Sequence, residues 1–370
     1  MYKVEEYVKK YGNYIIIASI IGIGSILFYL AAVSWASFIW TKNSVMFYLQ
    51  QPISNKEAVS AIERIQEMEE KKKEENKADI MPEFCIWGQK EEMILENKNL
   101  SRIAQADAIL LCGNPELVFE DCRVPNKEDS QGCLIDEEIA WELFGSNQVV
   151  GKEILIEGNS YIVRKVIPAK NRIIAFQVSS IDNENVKRMV TEELLTEPIL
   201  NRITISNSKN HSINDLYLAW TNQYNFSINI LDIELLRGIS GCCVLLIPIT
   251  ICIFFGIYLF YQYEKKEIIL DKIIIIIVVL ILIVLMIFLL KNWVKIPSDY
   301  LPVKWSDFSF WTELWKEKRK AIQLLLQIPK SKLDYRWTIN FFQSIGFSLV
   351  AEIFLIIGGI LSIPKKYLKS

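Results

Sequence analysis

Residues 14–40, YIIIASIIGIGSILFYLAAVSWASFIW, decide the fold, because this stretch contains no charged side chain. A helix needs about 20 apolar residues to cross the hydrocarbon core of a bilayer, and this stretch is longer than that. A cleaved signal peptide is the alternative, since YLAAVSWAS offers a weak small-residue cleavage site. The apolar region of a signal peptide usually holds only about 7–15 residues, so the length favours an uncleaved membrane anchor.

Three further apolar blocks follow at 239–261, 273–290 and 341–363. The first of these tolerates Pro248, since neighbouring membrane helices can satisfy the freed backbone group. The four blocks predict a protein with four membrane-spanning helices and the lipid bilayer as its surroundings. They also explain how a mean hydropathy of +0.22 coexists with 23% charged residues. A net charge of −2 argues against nucleic acid as a partner.

The orientation follows from the lysines near the helix ends, because cytoplasmic loops of membrane proteins are enriched in Lys and Arg. Basic residues occur before the first block, between the second and third blocks, and after the fourth. We therefore predict a multi-pass protein of the plasma membrane with both termini in the cytoplasm. The predicted order is a cytoplasmic N-terminus 1–13, helix 14–40, an extracytoplasmic domain 41–237, helix 239–261, a cytoplasmic link 262–272, helix 273–290, an extracytoplasmic segment 291–340, helix 341–363 and a cytoplasmic tail 364–370.

The large outer segment is predicted to be an α+β domain inserted between helices 1 and 2. It begins with a charged stretch at 55–79, which we interpret as a solvated helical stalk, and its folded core is expected at about 84–237. ADAILLCG at 106–113 is typical of a buried strand. Residues 136–145 predict a helix, with an acidic start and a glycine stop. KEILIEG and NSYIVRKVI predict a hairpin that turns at Gly158 and Asn159.

The run GCLIDEEIAWELFGSNQVVGKEILIEGNSYIVRKVI, 132–167, resembles the MacB-type periplasmic core domain of FtsX/MacB-like ABC transporter permeases. The shared features are a helix that ends in Leu-Phe-Gly, a Val-Gly-Lys pivot, and two strands around a glycine turn. The resemblance implies a permease-like subunit that works with a cytoplasmic ABC ATPase, as a homodimer or beside a related permease subunit, on a peptide, lipid or envelope partner. IPSDYLPVKWSDFSFW, 296–311, is similar to a sequence in related proteins of Gram-positive bacteria, which implies such a source.

One feature departs from this family. Its permeases carry a cytoplasmic coupling helix between spans two and three, whereas only about ten residues separate the two apolar blocks here. The candidate ATPase-facing residues in this link are Lys265, Lys266, Glu267 and Lys272. The chain has no Gly-x-x-x-x-Gly-Lys-Ser/Thr phosphate loop, so any ATP hydrolysis is expected from a partner chain. The alternative is a membrane-anchored binding or sensing protein that has lost its ATPase.

Catalytic and metal sites are not expected in this sequence, and no cofactor is predicted. His211 is the single histidine and lacks a nucleophile context, and the chain has no Cys-x-x-Cys pair. Cys122 and Cys133 bracket a polar loop that a disulfide would restrain, and the sequence leaves open whether they are bonded.

Two features of the predicted spans and loops invite a functional interpretation. Glu352 is a carboxylate inside the fourth span, where it acts either as a coupling or proton-relay group or as a neutral acid that hydrogen-bonds a neighbouring helix. The outer segment predicts an aromatic amphipathic helix. Such a helix suits the membrane interface, packing against the outer domain, or an amphipathic ligand, and we favour the first two. Its aromatic residues are Trp305, Phe308, Trp311 and Trp315.

Overall fold

The computed structural model describes residues 2–37, 44–74, 82–119, 122–125, 129, 131–178, 197–207, 213–293 and 308–362. The chain divides into two compact units. The helical unit comprises Met1–Ile39, Glu234–Leu314 and Arg336–Ser370, and the sheet unit comprises Trp40–Ile233 and Trp315–Tyr335. Residues 315–335 lie between the third and fourth apolar blocks in the sequence, yet they belong to the sheet unit.

The strands of the sheet unit all lie between the first two long apolar helices in chain order. The strands are β1 Ser44–Ser54, β2 Phe84–Asn97, β3 Arg102–Gly113, β4 Gly132–Asp136, β5 Glu153–Ile156, β6 Asn159–Ile167, β7 Ile173–Gln177, β8 Pro198–Ser206 and β9 Ile228–Leu231. The predicted buried strand is confirmed within β3, and the predicted hairpin is β5–β6. Its turn lies at Glu157 and Gly158, one residue earlier than expected. Both residues have positive φ, as a two-residue hairpin turn requires.

The strands form one mixed sheet in the order β3-β7-β4-β6-β5-β2-β8-β1-β9. Strand β2 also pairs with β3, so six of the strands close into a ring, and β8, β1 and β9 extend from it. The pairs β3–β7 and β4–β6 are parallel, and the other pairs are antiparallel. The long strand β2 joins the two parts, since its first half pairs with β8 and its end pairs with β5.

The helix at the start of the outer segment is part of the core, so our interpretation of 55–79 as a stalk is wrong. Helix α2, Asn55–Glu74, buries Ala58, Ala61 and Ile65 in the same hydrophobic core as the strands. Near its C-terminal end, Glu69 is 7% exposed and accepts a hydrogen bond from the Tyr224 hydroxyl at 2.8 Å. The 3.6-residue spacing of apolar residues predicts this helix, and the structure shows that these residues pack on the sheet.

The predicted helix at 136–145 is confirmed as α3, Glu137–Phe144. Asp136 caps it, because its carboxylate accepts the Ile139 amide at 3.0 Å, and Gly145 ends it in the left-handed region at φ 71. Amides of Asn171 and Ile173 also donate to Asp136. Burial raises the pKa of the Asp136 carboxyl despite these donors. Helix α4, Ile213–Asn222, completes the core with Trp220.

The helical unit contains the apolar helices. Among the described residues, four helices have the length and composition to cross a membrane: α1 Tyr2–Ala36, α5 Ile233–Lys265, α6 Ile269–Trp293 and α8 Lys332–Ser362. A shorter helix, α7 Phe308–Gln327, precedes α8. Within α6 no residue of the apolar window is buried by protein. So large an exposed apolar surface fits a lipid environment and not water.

Small residues let the apolar helices approach one another closely. A Cβ on Gly24 would lie 3.0 Å from the Leu355 side chain, and one on Gly359 would lie 2.7 Å from the ring of Phe254. Ile247, Ala351 and Leu355 form the buried centre of this packing. Glycine therefore serves here as the small residue that membrane helix interfaces favour.

Candidate functional site

A buried ion pair lies in the sheet unit, between a strand and the start of the fourth apolar helix. The guanidinium of Arg202 on β8 donates to the carboxylate of Asp334 in the first turn of α8 at 2.5 Å. The two side chains are only 2% and 3% exposed. At this burial the pair is hardly screened by solvent, so its geometry affects stability strongly.

Local sequence positions the carboxylate. Ser331 and Asp334 form a reciprocal capping box at the start of α8, in which the Ser331 amide donates to the Asp334 carboxylate at 2.9 Å. The Asp334 amide donates to the Ser331 hydroxyl at 3.2 Å. The carboxylate is thus held by its own helix end before it meets Arg202.

Aromatic rings and neighbouring oxygens position the guanidinium. Arg202 lies over the ring of Trp87 at 5.0 Å and that of Tyr48 at 5.9 Å. It also donates to the Pro329 carbonyl at 2.9 Å and to the Asn201 side chain at 2.6 Å. Its buried Nε has no hydrogen-bond partner among the described residues. Arg202 therefore binds the turn before α8 through its terminal nitrogens.

A second contact attaches the same turn to β2 and β3. The Lys332 ammonium lies 3.1 Å from the Asp107 carboxylate, and the Lys332 amide donates to the Gln89 side chain at 2.7 Å. Gln89 in turn donates to Asp107 at 2.9 Å. We call residues 328–335 with Arg202, Gln89 and Asp107 the docked turn.

A third contact lies at the beginning of the second apolar helix. Lys318 on α7 forms an ion pair with Asp232 at 2.9 Å, and their side chains are 17% and 6% exposed. Asp232 directly precedes α5. The residues that directly precede α5 and those that begin α8 are thus both held by contacts within the sheet unit.

The predicted cytoplasmic link of 262–272 is mostly helical, because α5 continues to Lys265 and α6 begins at Ile269. Both helices therefore continue beyond the apolar stretches that define the predicted spans. Only Lys266, Glu267 and Ile268 connect the two helices, with no helix between them. Lys266 pairs with Asp271 at 2.9 Å. Lys265 and Lys272 lie over the rings of Tyr261 and Tyr263 at 4.3 and 5.2 Å.

Glu352 makes a contact between two apolar helices. The Thr250 hydroxyl of α5 donates to its Oε1, and its Oε2 is buried without a hydrogen-bond partner among the described residues. This hydrogen bond joins α5 to α8. Both interpretations of Glu352, as a coupling or proton-relay group and as a neutral acid between helices, stay predictions.

The aromatic helix corresponds to α7, which begins at Phe308. Trp305 lies outside the described residues. Trp311 and Trp315 are 45% and 71% exposed, whereas Leu325 near the C-terminal end is buried. Residues 315–327 belong to the sheet unit, so this part of the helix packs within that unit.

Among the remaining candidates, Cys122 and Cys133 are both free thiols in the structure. Cys133 lies inside β4, where burial raises its pKa, and Cys122 donates to the Val124 carbonyl at 3.7 Å. His211 lies outside the described residues. Within the described ranges no group of three or more His, Cys, Asp or Glu side chains is placed to hold a metal.

The docked turn was missed by the sequence analysis, although two signals pointed to it. Arg202 is the charged residue of the strand PILNRITIS, in which polar residues alternate with Ile and Leu, and a charge within such a strand needs a buried partner. Ser331 and Asp334 show the three-residue spacing of a capping box before the fourth apolar block. Neither signal identifies the partner, because 132 residues separate the two charges.

No known family profile matches the chain, and no curated protein matches its sequence. Two solved structures share features with it. The periplasmic region of MacB from Actinobacillus actinomycetemcomitans aligns at 10% identity with a TM-score of 0.37, over 52% of this chain and 90% of that structure. The extracellular domain of the noncanonic ABC-type transporter YknZ from Gram-positive bacteria aligns at 10% identity with a TM-score of 0.34, over 51% and 100%. At these scores the alignments carry no argument about function.

Proposed function

We propose that the chain is the permease-like membrane subunit of a MacB/FtsX-type ABC system. Its four apolar helices span the plasma membrane with both termini in the cytoplasm, and its sheet unit lies outside. The chain has no catalytic role of its own, and a cytoplasmic ATPase partner hydrolyses ATP. The subunit transmits conformational change between that ATPase and a peptide, lipid or envelope partner.

The docked turn is the observation that carries this proposal. A domain tethered only by flexible loops would not follow the movement of a membrane helix. Here the first turn of α8 is joined to β8 by a buried ion pair, and Asp232 before α5 is joined to α7. Buried pairs of this kind hold one arrangement, because breaking them leaves an uncompensated charge.

The second candidate, a membrane-anchored binding or sensing protein without an ATPase, is favoured by the three-residue connection between α5 and α6. A helix that docks on an ATPase needs more residues than this connection offers. In this case the docked turn would report ligand binding at the sheet unit to the membrane helices.

Affinity purification of the full chain from its native membrane, at native expression, separates the two candidates. We expect a stoichiometric Walker-type ATPase to co-purify with the chain in mild detergent. The K265E/K266E/K272E variant should lose the ATPase, whereas the matched variant K56E/R64E/K71E, with substitutions on the exposed side of α2, should retain it. Absence of an ATPase from the wild-type preparation would refute the first candidate and support the second.

A further inference from the structure

The solvent-facing side of α7 combines apolar and basic residues in the sheet unit. Trp315, Arg319, Ile322 and Leu326 follow one another at four-, three- and four-residue intervals, which places them on one side of a helix. We call these four residues the α7 stripe. Trp315 is 71% exposed and Leu326 is 57% exposed, so the stripe is not covered by the domain on which the helix packs.

Two further cations border the stripe. Lys316 and Lys320 are exposed on the same helix, and neither they nor Arg319 form an ion pair within the described ranges of the chain. By contrast, Lys318 points to the domain side and pairs with Asp232. The helix thus uses one cation for internal attachment and presents three others beside exposed apolar side chains, against the two exposed carboxylates Glu313 and Glu317.

This concentration of positive charge runs against the rest of the molecule. The chain carries a net charge of −2, and loops on the outer side of a membrane are normally poor in Lys and Arg. A basic cluster on that side therefore calls for an anionic counterpart. The exposed Trp315 and Leu326 indicate which kind of anion binds. A soluble anion would leave these two side chains in water, whereas a phospholipid offers both a phosphate and an apolar layer.

Tryptophan and basic side chains are the usual residues at headgroup depth. Charge and exposure agree on one occupant.

We infer that the α7 stripe, with Lys316 and Lys320, binds the headgroups of anionic phospholipids in the outer leaflet. The cations bind the phosphates, and Trp315 and Leu326 enter the boundary of the acyl layer. The inference rests on the membrane location in the proposed function and not on the presence of an ATPase. The two can therefore fail separately.

Photo-crosslinking of the full chain tests this inference. A benzoylphenylalanine replaces the exposed Gln323, and the protein is reconstituted in nanodiscs with equal amounts of phosphatidylglycerol and phosphatidylcholine. We expect phosphatidylglycerol adducts to exceed phosphatidylcholine adducts several-fold. The excess should fall at least about fivefold in K316E/R319E/K320E, since each surface cation contributes about 1 kcal/mol of attraction to anionic lipid.

Controls separate lipid binding from other causes. The variant K56E/R64E/K71E makes the same charge change on α2 and should keep the adduct ratio. An ionic strength of about 1 M, which shortens the Debye length to about 3 Å, should reduce the ratio. Adducts in proportion to lipid abundance, or adducts to protein alone, would overturn the inference. Loss of the excess on addition of inorganic phosphate at constant ionic strength would assign the stripe to free anions and also overturn it.

Discussion

Replacement of Asp334 by Asn removes the charge of the buried ion pair with little change in shape. Arg202 would keep Trp87, Tyr48 and the Pro329 carbonyl but lose the carboxylate at 2.5 Å. Because both side chains are 3% exposed or less, solvent cannot replace the lost partner. Leaving one member of such a pair unpaired costs about 3–5 kcal/mol. For a domain of this size, that corresponds to a fall of about 6–20 °C in the unfolding temperature.

The assay is thermal unfolding of the full chain in nanodiscs, followed by tryptophan fluorescence. Glu197→Gln is the matched control, since Glu197 pairs with Lys90 in the same unit but is 47% exposed, and such pairs contribute at most about 1 kcal/mol. The double variant R202M/D334L should recover part of the loss, because an apolar pair leaves no unpaired buried charge, although leucine cannot accept the Ser331 amide. If Asp334→Asn unfolds at the same temperature as Glu197→Gln, the reasoning about the docked turn is refuted.

Three other predictions concern the core, the α3 cap and the helix contacts. Because α2 packs in the core, Ile65→Ala should lower the free energy of unfolding of the sheet unit by about 2–5 kcal/mol, and the exposed Met68→Ala by far less. Equal effects of the two substitutions in chemical denaturation would support the interpretation of α2 as a solvated stalk. Asp136→Ala should lower the free energy of unfolding by about 1–3 kcal/mol or more, and Asp136→Asn by less, because Asn still accepts amide hydrogen bonds. If Asp136→Asn unfolds at a lower temperature than Asp136→Ala, the role of Asp136 as the helix cap is contradicted. Gly359→Leu should lower the melting temperature in detergent, because a Cβ at this position would contact the ring of Phe254. Gly346→Leu is the control, since a Cβ there would have open space around it. Equal shifts in melting temperature would argue against close packing at Gly359.

The local elements of the fold could be predicted from the sequence because their signals are contained in a few neighbouring residues. The acid at Asp136 and the glycine at Gly145 defined α3, and alternating apolar residues defined β5 and β6. Uncharged runs of about 20 residues identified the four apolar helices for the same reason.

The long-range arrangement could not be predicted, since it depends on which distant residues meet. Helix α2 showed the same helical spacing whether its apolar side met solvent or the sheet. Arg202 and Asp334 each showed that a partner was needed, but nothing near either residue names the other. Residues 315–335 group with the sheet unit because of these contacts, and no pattern within 315–335 itself predicts that grouping.

The most direct test of the central claim is hydrogen exchange at the amides of residues 331–335. The full chain is purified with its ATPase in nanodiscs and compared with ADP and with a non-hydrolysable ATP analogue. If the docked turn transmits movement, exchange at these amides should differ between the two nucleotides, and the difference should vanish in D334N. Identical exchange in both states, with the ATPase bound, would contradict the claim that the turn couples the membrane helices to the outer domain.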